Sequence, residues 1–416
     1  MEGAHIVITA TWAGADVCGY TGVFCGPAVD DPCERTVVGI DLNHADLAGT
    51  LPTHLPHHLT DLTLFHLNSN RFCGEISANW ARLIRVVELD LSNNRFVGAF
   101  PLALLDIPGL VYLDLRFNEF EGEIPARAFE KESLDALFLN NNRFSGPIPG
   151  NLGESRASVL VLANNLLSGA LPPSIGEMGA SLNEIVLLNN NLSGCVNPDI
   201  GQLREVTVLD LSFNHLQGPI PHELGLLSQL EKLSMWYNDL SGEIPYTIGY
   251  LPKLRILILN NNALSGAIPS GIANCTSLEW ISLSSNNLTG GIPPRIGTMR
   301  SLTLLDLGNN GLYGVIPPEI ANASMFVWVD LHNNHLTGPI PPGLGSHPDR
   351  APASRVTGVV FAFIRNNLLN GCRGMGTLLE FAGITEEALA PTPLMTSCNS
   401  SRLYLGDVLN KDPDLT

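Results

Sequence analysis

Three histidines, His54, His57 and His58, crowd one short stretch and raise the question of a metal site. No cysteine or carboxylate completes a ligand set beside them, so a solvated loop is the better reading. The stretch GCRGMG brings Gly374 and Gly376 together but lacks the third glycine of a dinucleotide loop. His222 and Glu223 lack the second histidine of a zinc-protease motif. There is no C-x-x-C pair and no G-x-S-x-G elbow. No catalytic constellation emerges. An enzyme is the least favoured class, and no cofactor is expected.

A second set of residues is spaced for binding instead. Asp41, Asn43, His66, Asn68, Glu88, Asp90, Tyr112, Asp114, Arg116, Phe138 and Asn140 recur at matching places in successive segments. Asp210, Lys232, Trp236, Trp280, Asp306, Trp328, Asp330 and His332 continue the series. Carboxylates beside aromatic rings suit a basic peptide, because the charges steer and pair while the rings supply dry contact area. An ordinary solvated strand face carries the same residue types, so no single member decides the matter.

These places are set by a repeat. The pattern L-x-x-L-x-L-x-x-N-x-L-x-G-x-I-P returns every 23 to 25 residues in thirteen copies. Ala45 takes the asparagine place in the first copy. Asn70, Asn94, Asn118, Asn142, Asn165, Asn190, Asn214, Asn238, Asn262, Asn286, Asn310 and Asn334 follow. Such a period defines leucine-rich repeats. The leucines of L-x-L point into a solenoid, and the residues between them point outward on a short parallel strand. An asparagine in an otherwise apolar row is then a ladder residue, pairing backbone groups that the turn would bury unsatisfied. Gly122 permits the next turn, the G-x-I-P ending extends into a second strand, and Pro125 limits pairing at that edge. The segment ARAFEKESL should form a short helical turn on the convex side.

Composition narrows the partner. The 416 residues carry 22 Lys and Arg against 40 Asp and Glu, a net charge of −18. Nucleic acid needs a basic footprint and is disfavoured, whereas a basic peptide or protein is the electrostatic match. No apolar run is long enough for a membrane span. The start, MEGAHIVITATW, lacks the basic region of a signal peptide. Yet eight cysteines and the sequons at Asn191, Asn274, Asn287, Asn322 and Asn399 point to an oxidising, secreted setting. The natural amino terminus is therefore expected to lie upstream. Solenoid ends need caps. TWAGADVCGYTGVFC reads as the first cap, with Cys18 joined to Cys25 and Trp12 covering the first repeat. Cys33 and Cys73 could pair across the first turns, and Cys275 reads as a small buried hydrophobe.

Residues 12 to about 221 closely resemble the repeat domain of plant leucine-rich-repeat extensins, through DVCGYTGVFC, GIDLNHADLAGTLP, LFHLNSNRFCG, LDLSNNRFVGAFP, LDLRFNEFEGEIP and LNEIVLLNNNLSGCV. That resemblance implies a cell-wall or apoplastic protein binding small basic cysteine-rich signalling peptides, the rapid alkalinization factors. The extensin tail is absent. From about residue 222 the chain looks like plant receptor-kinase ectodomains, as in NCTSLEWISLSSNNLTGGIP. Val356 to Gly406 breaks the repeat and resembles the island domain of brassinosteroid receptor kinases. There Phe361, Phe363 and Tyr404 match residues lining the steroid pocket, and Cys372 and Cys398 match the island's disulfide. Further repeats follow the island in those receptors. With the chain ending at Thr416 the pocket would lack a wall, and weak steroid binding is expected.

The expected fold is an α/β, plant-type leucine-rich-repeat solenoid with a parallel sheet on its concave face. Residues 1–36 form the amino-terminal cap, 37–345 the repeats and 346–416 an irregular island subdomain. The expected function is extracellular, non-enzymatic peptide recognition on the concave face of the first eight repeats. Steroid sensing is the first alternative, and a scaffold or enzyme inhibitor the second. A co-receptor ectodomain or a second copy of the chain are further partners such a module can take.

Overall fold

The computed structural model describes residues 12–322, 325–341, 361–363 and 368–369. Each repeat contributes a three-residue strand to one sheet, a second strand to another, and a 3-10 turn between copies. Tyr112–Asp114 shows why the first strand is so short. Leu113 and Leu115 are fully buried, and Phe117 then adopts φ 52°, which ends the extended run. The same left-handed step recurs from His44 to Asn333 at one place in every repeat. Asparagine tolerates that conformation better than other side chains, hence its frequency there.

The first strands stack into a 15-stranded sheet. Arg35–Asp41 begins the parallel run, and the cap strand Val23–Pro27 covers its edge in antiparallel register. The second strands form an 11-stranded sheet and a 3-stranded one. All the helical segments among the described residues are 3-10 turns, including Ala126–Ala128 in the stretch expected to turn helically. Neighbouring turns pack backbone to backbone. At Gly249 a Cβ would meet the Gly271 carbonyl oxygen at 2.4 Å, so a side chain there would force the turns apart.

The core is aliphatic with a spine of rings. Phe72, Phe96, Phe120 and Phe144 stack at 6.4, 6.4 and 6.3 Å between centroids. Offset stacks at this separation add about 0.5–1.5 kcal/mol each beyond the area they bury. The asparagine column lies beside them. Asn118 Nδ2 donates to the carbonyls of Leu91, Leu115 and Arg116, and its Oδ1 accepts the Phe96 N–H at 3.0 Å. One amide thus ties two consecutive repeats together.

Cys18 is bonded to Cys25, with Cα atoms 5.6 Å apart. Two other cap expectations change. Trp12 stacks on Tyr20 at 5.4 Å and stays partly exposed instead of covering the first repeat. Edge coverage comes from the antiparallel strand, which satisfies backbone groups that a ring cannot. Cys33 and Cys73 are both free and exposed, because backbone pairing holds Cys73 in the second sheet beside Thr50. Cys275 is buried as expected, its thiol directed at the Ile248 carbonyl.

Within the stretch expected to break the repeat, the five described residues continue the two sheets. Phe361–Phe363 pairs in parallel with Trp328–Asp330, and Leu368–Leu369 pairs with His335–Gly338. Strand pairing uses backbone groups, so a segment without the leucine pattern can still add a rung.

Candidate functional site

The outward face of the long sheet holds the residues singled out above, and the structure separates those with structural duties from those presented to solvent. Aspartate in the middle outward column serves the backbone. Asp41, Asp90, Asp114, Asp210, Asp306 and Asp330 each use Oδ1 to accept the N–H of the residue two places on, at 2.9 to 3.3 Å. Local side-chain bonds of this kind hold a strand end in place. The sequence alone could not distinguish this role from ligand binding, because both put aspartate at the same spacing.

Asp114 is the clearest correction. It is fully buried, with Oδ2 2.9 Å from Arg116 Nε and 3.2 Å from the Tyr112 hydroxyl that donates to it. Burial, then the neighbouring Asp90 charge, push its carboxyl up to about 7 against the opposing pull of Arg116. Burial and the Asp114 charge likewise raise the Tyr112 phenol. Arg116 lies 5.1 Å from the Phe138 centroid, and Tyr112 packs on the same ring at 5.4 Å. Tyr112, Asp114, Arg116 and Phe138 therefore do assemble, but as a knot in which the Asp114 carboxylate faces Arg116 and Tyr112 and not solvent.

Free carboxylate remains one repeat earlier. Glu88 is half exposed with His66 Nε2 3.5 Å away, and Asp90 is half-buried with only Oδ1 engaged among the described residues. Asn68 is held between Asn43, Ser69 and Ser92. Asn140 donates to Asn141, while its Oδ1 is buried and has no partner among the described residues. In the later repeats Lys232 is bound to Asp210 at 3.1 Å, and Asp330 to His332 at 2.5 Å. Ser282 and Ser284 both donate to Asp306, whose carboxyl burial and Asp330 raise to about 6. The indole N–H of Trp280 is buried without a partner among the described residues.

Two groups escaped the sequence reading. Val159, Val161, Val186, Leu188, Ile256 and Ile258 occupy outward places and are half-buried, so the middle of this face carries apolar residues on either side of the Asp210–Lys232 pair. The rule that outward means polar hid them. Phe117, Phe213 and Tyr237 take the left-handed place usually given to asparagine and are exposed. Such a place costs a bulky residue on the order of 1–2 kcal/mol. Phe213 offsets part of this by packing against Trp236 at 4.3 Å and Tyr237 at 4.6 Å. Asking which repeats break the asparagine habit would have found all three.

Other candidates fall elsewhere. No group of three His, Cys, Asp or Glu able to hold a metal occurs among the described residues. Two clefts, of about 260 and 380 Å³, lie beside the 3-10 turns at Ala78–Arg82 and His222–Leu226 and not on the outward face. Phe361 and Phe363 stand in register with Trp328 and Asp330. Tyr404, Cys372 and Cys398 lie outside the described residues, as do Asn399 and the side chain of Asn322. The other sequon asparagines, Asn191, Asn274 and Asn287, are exposed. No described helix is long and apolar enough to cross a membrane.

Comparison with known proteins places this geometry. A family model described as the brassinosteroid receptor island domain matches residues 350–411, and leucine-rich-repeat models match 205–227, 228–288, 301–323 and 326–347. Leucine-rich repeat extensin-like protein 2 of Arabidopsis thaliana is 57% identical over 82 residues, 20% of this chain and 10% of that protein. A TDR receptor structure aligns with TM-score 0.75 and 32% identity over 80% of this chain and 56% of its own. The plant peptide hormone receptor RGFR1, solved with RGF2, aligns with TM-score 0.73 and 29% identity over 80% and 52%. The chain thus spans about a tenth of that extensin-like relative and about half of these receptor chains. With these matches, the chain is a leucine-rich-repeat solenoid joined to a brassinosteroid receptor island domain.

Proposed function

We propose that this protein is an extracellular, non-enzymatic recognition module of the plant cell wall or apoplast that binds a basic signalling peptide on the outward face of its long sheet. The observation that carries this is the open carboxylate pair of Glu88 and Asp90, at the edge of an aromatic and apolar face. RGFR1 is a plant peptide hormone receptor solved in complex with RGF2, which supports this use of the scaffold. We read the ligand as a cysteine-rich peptide of the rapid alkalinization type, which is what the resemblance of residues 12 to about 221 to the extensin repeat domain implies. Asp114 belongs to the buried knot, so the charge reversal that tests the face is Glu88→Lys with Asp90→Lys. Binding of a rapid alkalinization peptide should weaken by roughly 2–5 kcal/mol if the contact is desolvated, and by under about 1 kcal/mol at an exposed rim. Titration at two salt concentrations reads it out, and parental affinity in the variant removes these carboxylates from the site.

The island match favours a second reading, steroid sensing. It expects brassinolide to bind with an affinity indifferent to salt, since burial of apolar rings and not charge would drive it. Calorimetry with brassinolide is the measurement. Absence of heat at saturating steroid would discard this reading and leave the peptide one untouched.

A further inference from the structure

We propose that Asn274 carries an N-linked glycan whose first sugars lie against the exposed rings of Tyr250 and Tyr246 on the convex side. The proposal needs the secreted setting alone and is independent of the peptide reading.

The attachment point is set by a turn. Asn274 ends the 3-10 turn Ser270–Asn274, and Thr276 supplies the hydroxyl two places on. Both residues are exposed. Cys275 between them is buried, its thiol 3.1 Å from the Ile248 carbonyl oxygen. The Asn274 carbonyl accepts the Thr276 N–H at 2.9 Å, while its side-chain amide has no hydrogen bond among the described residues. That amide is free for modification. In the step itself Nδ2 bonds to the anomeric carbon of an N-acetylglucosamine. The bond from that carbon to a lipid diphosphate carrier breaks, and the amide gives up one proton.

The neighbouring turns carry what the glycan would cover. Tyr246 and Tyr250 stand at the two ends of the turn Tyr246–Tyr250, 66% and 62% exposed, with centroids 6.0 Å apart. Leu226, at the end of His222–Leu226, is exposed as well. These turns pack closely. A Cβ at Gly225 would meet Thr247 at 2.5 Å, and one at Gly249 meets Gly271 as described above. Leu226, Tyr250 and Asn274 hold the same place, the last of each five-residue turn. In the other described turns of that length the place is polar, as at Arg82, Asp106, Gln202 and Thr298. The polar habit breaks only in the two turns leading up to the sequon.

Exposed apolar groups gathered in one patch mark a surface that something covers. A sugar rooted one turn away reaches these rings without giving up the translational freedom that a separate partner loses. The chemistry also matches. One face of a pyranose is lined by C–H groups that pack on an aromatic ring, and its hydroxyls pair with the phenol oxygens at the rim. A separate protein would instead have to accommodate a glycan standing beside its own contact.

The test uses the full chain behind an added secretion signal, produced in cells that make high-mannose glycans. Mass mapping of its peptides reads occupancy at Asn274, and the rate of tyrosine nitration reads the exposure of Tyr246 and Tyr250. Asn274 should be occupied. Asn274→Gln should raise the nitration rate of both tyrosines several-fold. Asn191→Gln should leave that rate unchanged, because Asn191 begins the second strand Asn191–Cys195, away from the convex turns. If Asn274→Gln is poorly secreted, Thr276→Ala removes the sequon by a second route and should give the same rise. An empty Asn274 in the secreted chain overturns the proposal. Nitration equally fast with and without the Asn274 glycan also overturns it, as does an equal rise on Asn191→Gln, which would mark general crowding by glycans instead of contact.

Discussion

Asn118→Leu is expected to lower the melting temperature sharply, although it adds apolar bulk to an apolar column. The leucine cannot accept the Phe96 N–H, which takes Asn118 Oδ1 at 3.0 Å, nor donate to the Leu91, Leu115 and Arg116 carbonyls. Leu91 and Leu115 each keep a second amide, from Asn94 and Asn142, so the Phe96 donor is the group stranded most completely. A buried group left unpaired costs about 1–3 kcal/mol, and the weakened carbonyls add to it. A loss of roughly 2–4 kcal/mol follows. Because every repeat leans on its neighbours, the damage should spread along the stack. Circular dichroism on heating checks this, and an unchanged transition would show that the ladder carries no weight.

The second large effect is on pH. The fold holds Asp114 near 7 and Asp306 near 6, both through burial first and a neighbouring aspartate second. Unfolded aspartates titrate near 4. Between those values the folded chain binds more protons than the unfolded one, so these groups make stability fall as pH rises. Their contribution is complete below about 4 and is lost as pH climbs through the folded values. At 1.36 kcal/mol per unit the two together amount to a few kcal/mol in order of magnitude. Thermal melts should therefore run higher at pH 5 than at pH 8. Asp114→Asn and Asp306→Asn keep the acceptor for the Arg116 and Gly308 amides while removing the titration. The doubly substituted chain should show a flatter profile, and a profile identical to the parent's would count against these two groups.

Much of the fold was legible because the repeat is a physical period. A leucine pair two apart and an asparagine three places on have one arrangement that buries the first and pairs the second. Stacking then follows without long-range guesswork. The candidate site was only partly legible. The residues Glu88 and Asp90, or Tyr112 and Asp114, look alike on paper as outward polar places. What distinguishes them is which neighbour each carboxylate meets across strands, and Arg116 with Tyr112 takes Asp114 out of solvent. The apolar residues of the middle were missed for the opposite reason. Val186 and Ile258 read as ordinary strand formers, and nothing local says that they share one outward row with Val161, Asp210 and Ser234.

By itself, then, the sequence determined the solenoid, its Cys18–Cys25 cap and the asparagine ladder, since each rests on spacing within one or two repeats. Tertiary structure decided which outward residues are free. Free cysteines at 33 and 73, the extra rung at Phe361–Phe363 and the buried knot around Asp114 also depend on it. All of these turn on contacts between residues a full repeat or more apart, or on whether a side chain already has a partner. Periodicity sets where a residue points, but only the packed neighbours set what is left for a ligand.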